Sequence, residues 1–159
     1  MADLSGSIQF RSIKTTLPSG LMGGVYFETP AGTPSLLNSY QCQSFTISFS
    51  GVWAAPQTVN VFAERIGNAV TLTFALTSAG AAISGYMQSG VGSILSVFCP
   101  SSNIVWNSAI VTDNSLSQNG VITVTPSGIV TVSVVTGTFA ATGLAGWPKL
   151  TIAYSTVAL

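Results

Sequence analysis

The chain has very few charged side chains. Its 159 residues include four Lys or Arg, four Asp or Glu and no His, so only 5% are charged, whereas a typical soluble domain has about 25%. Without histidine, a Ser-His-Asp triad, a Cys-His dyad and His-based metal sites are excluded. The four acids show no paired signature of glycoside hydrolysis. The sequence therefore predicts no enzymatic activity, no metal site and no cofactor.

Long apolar runs and clustered basic residues are also missing. Mean hydropathy is +0.58, yet Ser, Thr, Asn or Gly breaks every apolar run well short of the about 20 residues that a spanning helix needs. The sequence therefore predicts no membrane insertion. Four scattered Lys and Arg cannot form a nucleic-acid patch. The N-terminus has neither a basic nor an apolar signal region, so we expect no signal peptide and synthesis in the cytosol.

Cysteine is scarce as well, since only Cys42 and Cys99 are present. Without a signal peptide, the sequence favours two buried free thiols. A single disulfide is the alternative if the protein later meets oxidising surroundings. Cys99 lies in an apolar stretch before Pro100, which favours a buried thiol over a reactive one.

The chain is rich in two-residue alternation of apolar and polar side chains, the pattern of half-buried β-strands. Residues 57–77 alternate on both sides of a Gly-Asn pair at 67–68, which predicts a hairpin. Residues 122–134 repeat this pattern around a Pro-Ser-Gly turn. Further strands are expected near 93–99, 103–112 and 148–156. No segment has a helical period, and this strand spacing predicts an all-β, antiparallel two-sheet jelly-roll sandwich.

The first forty residues differ from the rest. Pro, Gly and Ser interrupt them and leave room only for short strands near 7–13 and 24–28. We therefore divide the chain into an N-terminal arm or edge-strand segment, residues 1–40, and a jelly-roll domain, residues 41–159.

Aromatic and amide side chains are the main candidates for a displayed surface. Exposed aromatics stack on sugar rings or anchor protein contacts; the alternative is that they cap the ends of the core, as we expect for Trp147 before the last strand. Candidate ligand or receptor contacts are Tyr86, Trp106, Asn107, Asp113 and Asn114. Candidate residues of the core, or of an interface between copies of the chain, are Phe62, Leu72, Phe74 and Tyr154.

Several short segments follow one another in a recognisable order. They are Ser50-Gly51-Val52-Trp53, 56–61, 65–72, 120–124, 126–130, 137–139 and 150–155. From the mid-forties onward they resemble a module of virus and phage particle proteins that is similar to the trimeric jelly roll of complement globular heads and tumour necrosis factor. The resemblance implies three protomers around a threefold axis on a fibre, spike or other particle surface. The N-terminal segment lacks heptads and collagen repeats, so a compact capsomer, cap or knob fits better than a fibre tip.

The leading hypothesis is a non-enzymatic structural or attachment protein of a virus particle, which acts as a homotrimer in the virion beside other virion proteins. Charge poverty supports assembly, because an uncharged, apolar-rich surface is usually a contact surface. One alternative is a carbohydrate-binding module for a cell-surface glycan, which predicts an exposed Trp106 or Tyr86 beside Asn or Asp. The other is an icosahedral capsid shell subunit, which predicts particles formed by the chain alone.

Overall fold

The structure is a computed structural model that describes residues 26–28, 34–36 and 40–156. Its strands are β1 Tyr26–Glu28, β2 Pro34–Leu36, β3 Gln41–Ser50, β4 Gln57–Ile66, β5 Ala69–Phe74, β6 Thr77–Gly80, β7 Met87–Ser89, β8 Ile104–Asp113, β9 Leu116–Val124, β10 Val130–Val134, β11 Leu144–Trp147 and β12 Leu150–Ser155. The described ranges contain no helix long and apolar enough to span a membrane. The strand predicted near 7–13 lies outside them.

Both predicted hairpins are confirmed. Strands β4 and β5 pair in an antiparallel register that ends at Ile66 and Ala69, with Gly67 at a φ of +62° in the turn between them. Strands β9 and β10 pair in the same way from Val124 and Val130. In each case the side chains alternate between buried and more exposed positions along the strand, as the sequence pattern predicts.

Strands β3 to β12 form one continuous, curled antiparallel sheet in the order β12-β5-β4-β3-β7-β10-β9-β8-β11-β6. We call β12, β5, β4 and β3 the first half, and β10, β9, β8, β11 and β6 the second half. The short strand β7 joins the halves, because it pairs with β3 on one side and β10 on the other. Strands β1 and β2 form a separate two-stranded sheet.

The curl brings the buried faces of the two halves into contact. The ring of Phe49 on β3 lies 5.1 Å from that of Trp147 on β11, at an interplanar angle of 72°. The indole N–H groups of Trp53 and Trp147 donate to the carbonyls of Ala145 and Ala75, at 3.0 and 3.1 Å. These bonds satisfy the polar edges of two large buried rings, which would otherwise be costly to bury.

Three of the four residues named as core or interface candidates lie in this core. Leu72 and Phe74 on β5 are fully buried, and Tyr154 on β12 is 9% exposed. The Tyr154 hydroxyl donates to the carbonyl of Phe98. Burial, with a smaller contribution from Cys99, raises the pKa of this phenol above its usual value. The fourth candidate, Phe62, is 40% exposed on the opposite side of the sheet.

The prediction of a strand over 93–99 is wrong, because this segment is a loop with one turn of 3-10 helix at Ser96–Phe98. Its carbonyl groups find partners outside a strand ladder. Arg65 Nη1 donates to the Val97 carbonyl at 2.7 Å, Tyr154 to the Phe98 carbonyl and the Cys99 thiol to the Ile94 carbonyl. With these backbone groups satisfied locally, the alternation of the segment does not lead to strand pairing.

The expectation of two buried thiols holds only in part. Both cysteines are free thiols, but Cys42 is exposed, because it lies on the outer side of β3 with Ser44 and Thr46. Cys99 is partly buried beneath the 94–98 loop, and burial raises the pKa of its thiol.

Candidate functional site

The five residues predicted as ligand contacts lie at separate places on the molecule. Trp106 is partly buried and packs against the core beside a β-bulge, and Asn107 is exposed next to it. Asp113 lies at the end of β8, six residues beyond Asn107 and about 20 Å away in an extended strand, and Asn114 follows it in the turn. Tyr86 is half exposed in the loop before β7.

Asp113 and Asn114 bind neighbouring parts of their own chain. Asp113 is 7% exposed; its Oδ1 accepts from the Ala140 N–H at 2.8 Å and its Oδ2 from Gln118 Nε2 at 3.4 Å. Asn114 has a φ of +50° in the β8–β9 turn and accepts from the Thr142 hydroxyl at 3.2 Å. These side chains therefore hold the 140–143 loop against the turn.

A depression of about 890 Å³ lies on the outer face of the first half. It is lined by Ser44, Phe45, Thr46, Asn60, Val61, Phe62, Thr73, Ala75, Leu76 and Lys149. We call this surface the depression. Of these residues, only Phe62 is a candidate from the sequence, as a core or interface residue. The available signal was a large aromatic at an outward, otherwise polar position of β4.

Strand register explains the shape of the depression. Ser44 on β3 and Thr73 on β5 lie directly opposite Phe62 on β4, one on each side. In the next row, Thr46 lies opposite Asn60. Because Ser and Thr are short, they leave the Phe62 side chain 40% exposed.

The polar groups of the depression are only partly engaged. Thr73 shares a hydrogen bond with Thr151 at 3.0 Å, and the Asn60 backbone carbonyl accepts from Ala75 N–H at 2.9 Å. Within the described ranges, the Asn60 side-chain amide and the Thr46 hydroxyl have no hydrogen-bond partner. An amide and a hydroxyl beside an exposed ring form a surface able to bind a polar ligand with apolar faces.

Lys149 differs from the other charged side chains whose contacts the structure describes. Glu64 accepts from the Tyr40 hydroxyl at 2.9 Å, which raises the pKa of Tyr40 to about 12. Arg65 donates through Nε to the Gly67 carbonyl at 2.7 Å and through Nη1 to the 94–98 loop. Asp113 accepts from the Ala140 N–H and from Gln118 Nε2. Lys149 is exposed in the β11–β12 turn and forms no ion pair or hydrogen bond with another described residue.

The outer face of the second half has a different character. Along β8, β9 and β10 its outward side chains include Val105, Asn107, Ile110, Asn119, Val121, Thr123, Thr131 and Ser133. We call this set the β8–β10 face. Val105 is 55% and Ile110 49% exposed, and none of the eight side chains is charged. In the described ranges, no three His, Cys, Asp or Glu residues lie together as metal ligands would.

Neither known protein families nor curated proteins match the sequence. Solved structures do resemble the fold. The attachment protein sigma1 of a reovirus, whose crystal structure is in complex with alpha-2,3-sialyllactose, is 17% identical, with a TM-score of 0.51. The similarity covers 93% of this chain and 86% of that chain. At this identity it shows that the two proteins share an all-β fold.

Proposed function

We propose that this chain is a non-enzymatic attachment or structural protein of a virus particle, located in the virion and acting as a homotrimer. The observation that carries the proposal is the fold likeness, which extends over 93% of the chain, to a viral attachment protein. The finer arrangement, a jelly-roll sandwich of the complement and tumour necrosis factor type, is part of the same proposal. It is supported by the curl that packs the two halves of the sheet on one another.

The β8–β10 face supports trimerisation. Exposed apolar side chains on a face without charge are costly to leave in water and are typical of contact surfaces. Val105 and Ile110 meet this description, with small polar side chains between them. Closed association would also protect the edges of the sheet from uncontrolled pairing. We therefore assign this face to contact between copies of the chain.

The depression supports attachment through a cell-surface glycan. Its exposed ring, free amide and hydroxyls combine the apolar and hydrogen-bonding groups that sugar ligands need. The structural neighbour was crystallised with sialyllactose, which adds support for a sugar ligand. In this proposal the β8–β10 face forms the contacts between copies of the chain, and the depression binds the cell-surface glycan.

Light scattering of the purified full chain tests the assembly. The expected mass is about three times 16.3 kDa. A strict monomer at all concentrations would overturn the homotrimer. Large closed particles, visible by electron microscopy, would favour the icosahedral shell instead.

Binding to intact cells tests attachment. The fluorescently labelled chain is added to a panel of cells with and without glycosidase or protease treatment. We expect saturable binding that glycosidase removes and protease does not. Binding that only protease removes would indicate a protein receptor. Absence of binding to every cell type would overturn the attachment function.

A further inference from the structure

The structure carries one inference beyond the proposed function, although it rests on it. We propose that the depression binds an acidic saccharide, with Lys149 contacting the negative charge of the sugar and Phe62 contacting an apolar face of its ring. The chemical class of the ligand is thus a sugar with a carboxylate or sulfate group. Three features of the depression support this ligand: the unpaired Lys149 ammonium, the mixed apolar and polar lining, and the volume.

The positive charge of Lys149 is not balanced by any described residue. A lysine ammonium has three donors and no acceptor, and in the described ranges this one has no partner. Both acids whose side chains the structure describes are already engaged, because Glu64 accepts from Tyr40 and Asp113 from the Ala140 N–H, so this part of a second copy has little to offer it. An anion from outside the chain is therefore the partner that fits best.

The lining of the depression indicates which kind of anion would bind there. Nucleic acid needs several clustered cations, and among the residues that the structure describes Lys149 is the one cation that lines the depression. The residues that share the site with it are instead apolar ones, Phe62 at 40% exposure together with Phe45, Val61, Ala75 and Leu76, and polar ones with one amide and short hydroxyls. A saccharide has apolar C–H faces for the Phe62 ring and hydroxyls for Asn60 and Thr46.

The volume and openness of the depression suit a saccharide that binds weakly at each single site. The volume of about 890 Å³ lies within the roughly 300–1,000 Å³ typical of small-ligand sites. The depression is open on an exposed sheet face, so the ligand keeps much of its hydration and a single site binds weakly. A trimer compensates through multivalency, because three linked sites bind a glycan-covered surface far more tightly than one.

The test is a ligand-observed NMR titration of the wild-type chain with four probes. These are lactose, 3′-sialyllactose, a glucuronic acid disaccharide and a sulfated lactose. We expect the acidic probes to bind about fivefold more tightly than lactose in low salt, the most that an exposed ion pair usually supplies. This preference should shrink as ionic strength rises, because exposed charges are screened. Comparison of the affinities of the three acidic probes shows which anionic group the site prefers.

Variants locate the site. Lys149→Gln should abolish the preference for acidic probes and leave lactose binding unchanged, whereas Lys149→Arg should retain the preference. Phe62→Ala should weaken all four probes alike. Asn103→Ala, an exposed amide before β8 and outside both the depression and the β8–β10 face, is the matched control and should change nothing. Circular dichroism of each variant confirms that it is folded.

The outcomes separate this inference from the proposed function. If the chain attaches to cells but binds acidic and neutral probes equally, or if Lys149→Gln retains the preference, the inference is wrong and attachment stands. If Asn103→Ala removes binding, the ligand lies outside the depression and the inference is again wrong. If the chain binds neither cells nor any probe, both proposals fail.

Discussion

The two halves of the sheet have the same buried face and different outer faces. Inward positions of both are apolar and tightly buried, as at Leu72 in the first half and Val132 in the second. Outward, the first half has a depression with an unpaired lysine, while the second has a smoother face of valine, isoleucine and small polar residues. Alternation thus specifies that a residue faces outward, but the residue types across neighbouring strands decide what that face does.

The largest expected effect breaks the inner side of the first half. Leu72→Asp places an unpaired charge in a fully buried position, and we expect a loss of about 5 kcal/mol or more, enough to unfold a marginal domain. Thr58→Asp introduces the same group at an exposed, outward position of β4 and should change the free energy of unfolding by about 0.5 kcal/mol or less. Urea unfolding at one fixed protein concentration compares the two.

Equal destabilisation by these two substitutions would show that the strand register of the first half is wrong. Fixed concentration matters here, because the unfolding of an oligomer depends on concentration.

The next effect concerns the close approach of strands in the second half. A Cβ at Gly146 on β11 would lie 2.1 Å from the Thr77 carbonyl oxygen on β6, whereas one at Gly80 would meet no atom within 4 Å. We expect Gly146→Ala to lower the free energy of unfolding by about 1–3 kcal/mol through overpacking. Gly80→Ala, in the same strand pair, is the control and should stay within about 0.5 kcal/mol. A midpoint for Gly146→Ala equal to that of wild type would contradict the β11–β6 pairing.

Much of the inner face could be predicted from the sequence, because alternation and turn residues are local signals. The Gly-Asn and Pro-Ser-Gly turns indicate both hairpins, and the polar–apolar period places Leu72 and Phe74 inside. The strand predicted over 93–99 is wrong, because carbonyl groups of this segment accept hydrogen bonds from Arg65 and Tyr154, which are distant in sequence. Nothing within the segment itself indicates those partners.

The depression could not be predicted for a related reason. Its lining comes from β3, β4, the end of β5 and the β11–β12 turn, so that Ser44 and Lys149 become neighbours of one surface only through strand order. Along the chain, an aromatic residue directly beside an amide indicates Trp106 and Asn107 instead. The structure turns the first of these toward the core.

A smaller effect concerns the contact between β12 and the 94–98 loop. Tyr154→Phe removes the donor to the Phe98 carbonyl and should cost about 1–3 kcal/mol at neutral pH, the usual penalty for a buried acceptor left unpaired. Because burial raises the Tyr154 pKa in the folded state, the protonated phenol is favoured by folding. This stability is fully present below the ordinary tyrosine pKa of 10.0 and is lost as pH rises through the higher folded value.

Urea unfolding between pH 7 and pH 11 checks this. Wild type should lose more stability over this interval than Tyr154→Phe does. Tyr40→Phe is the control for the other tyrosine of raised pKa, which is half exposed and bonded to Glu64. If Tyr154→Phe retains the full alkaline loss of wild type, another group causes it.

The smallest effect on folding is also the sharpest contrast between the two outer faces. Ile110→Asp and Phe62→Asp replace side chains that are 49% and 40% exposed, one on each face, so each should change the free energy of unfolding of the single chain by about 0.5 kcal/mol. Their effects on assembly should differ. A charge at Ile110 would be buried without a partner between copies and should reduce the light-scattering mass toward 16.3 kDa, whereas a charge at Phe62 should leave the trimer intact. The reverse result would place the depression inside the oligomer, because a surface covered by a second copy cannot also bind a sugar.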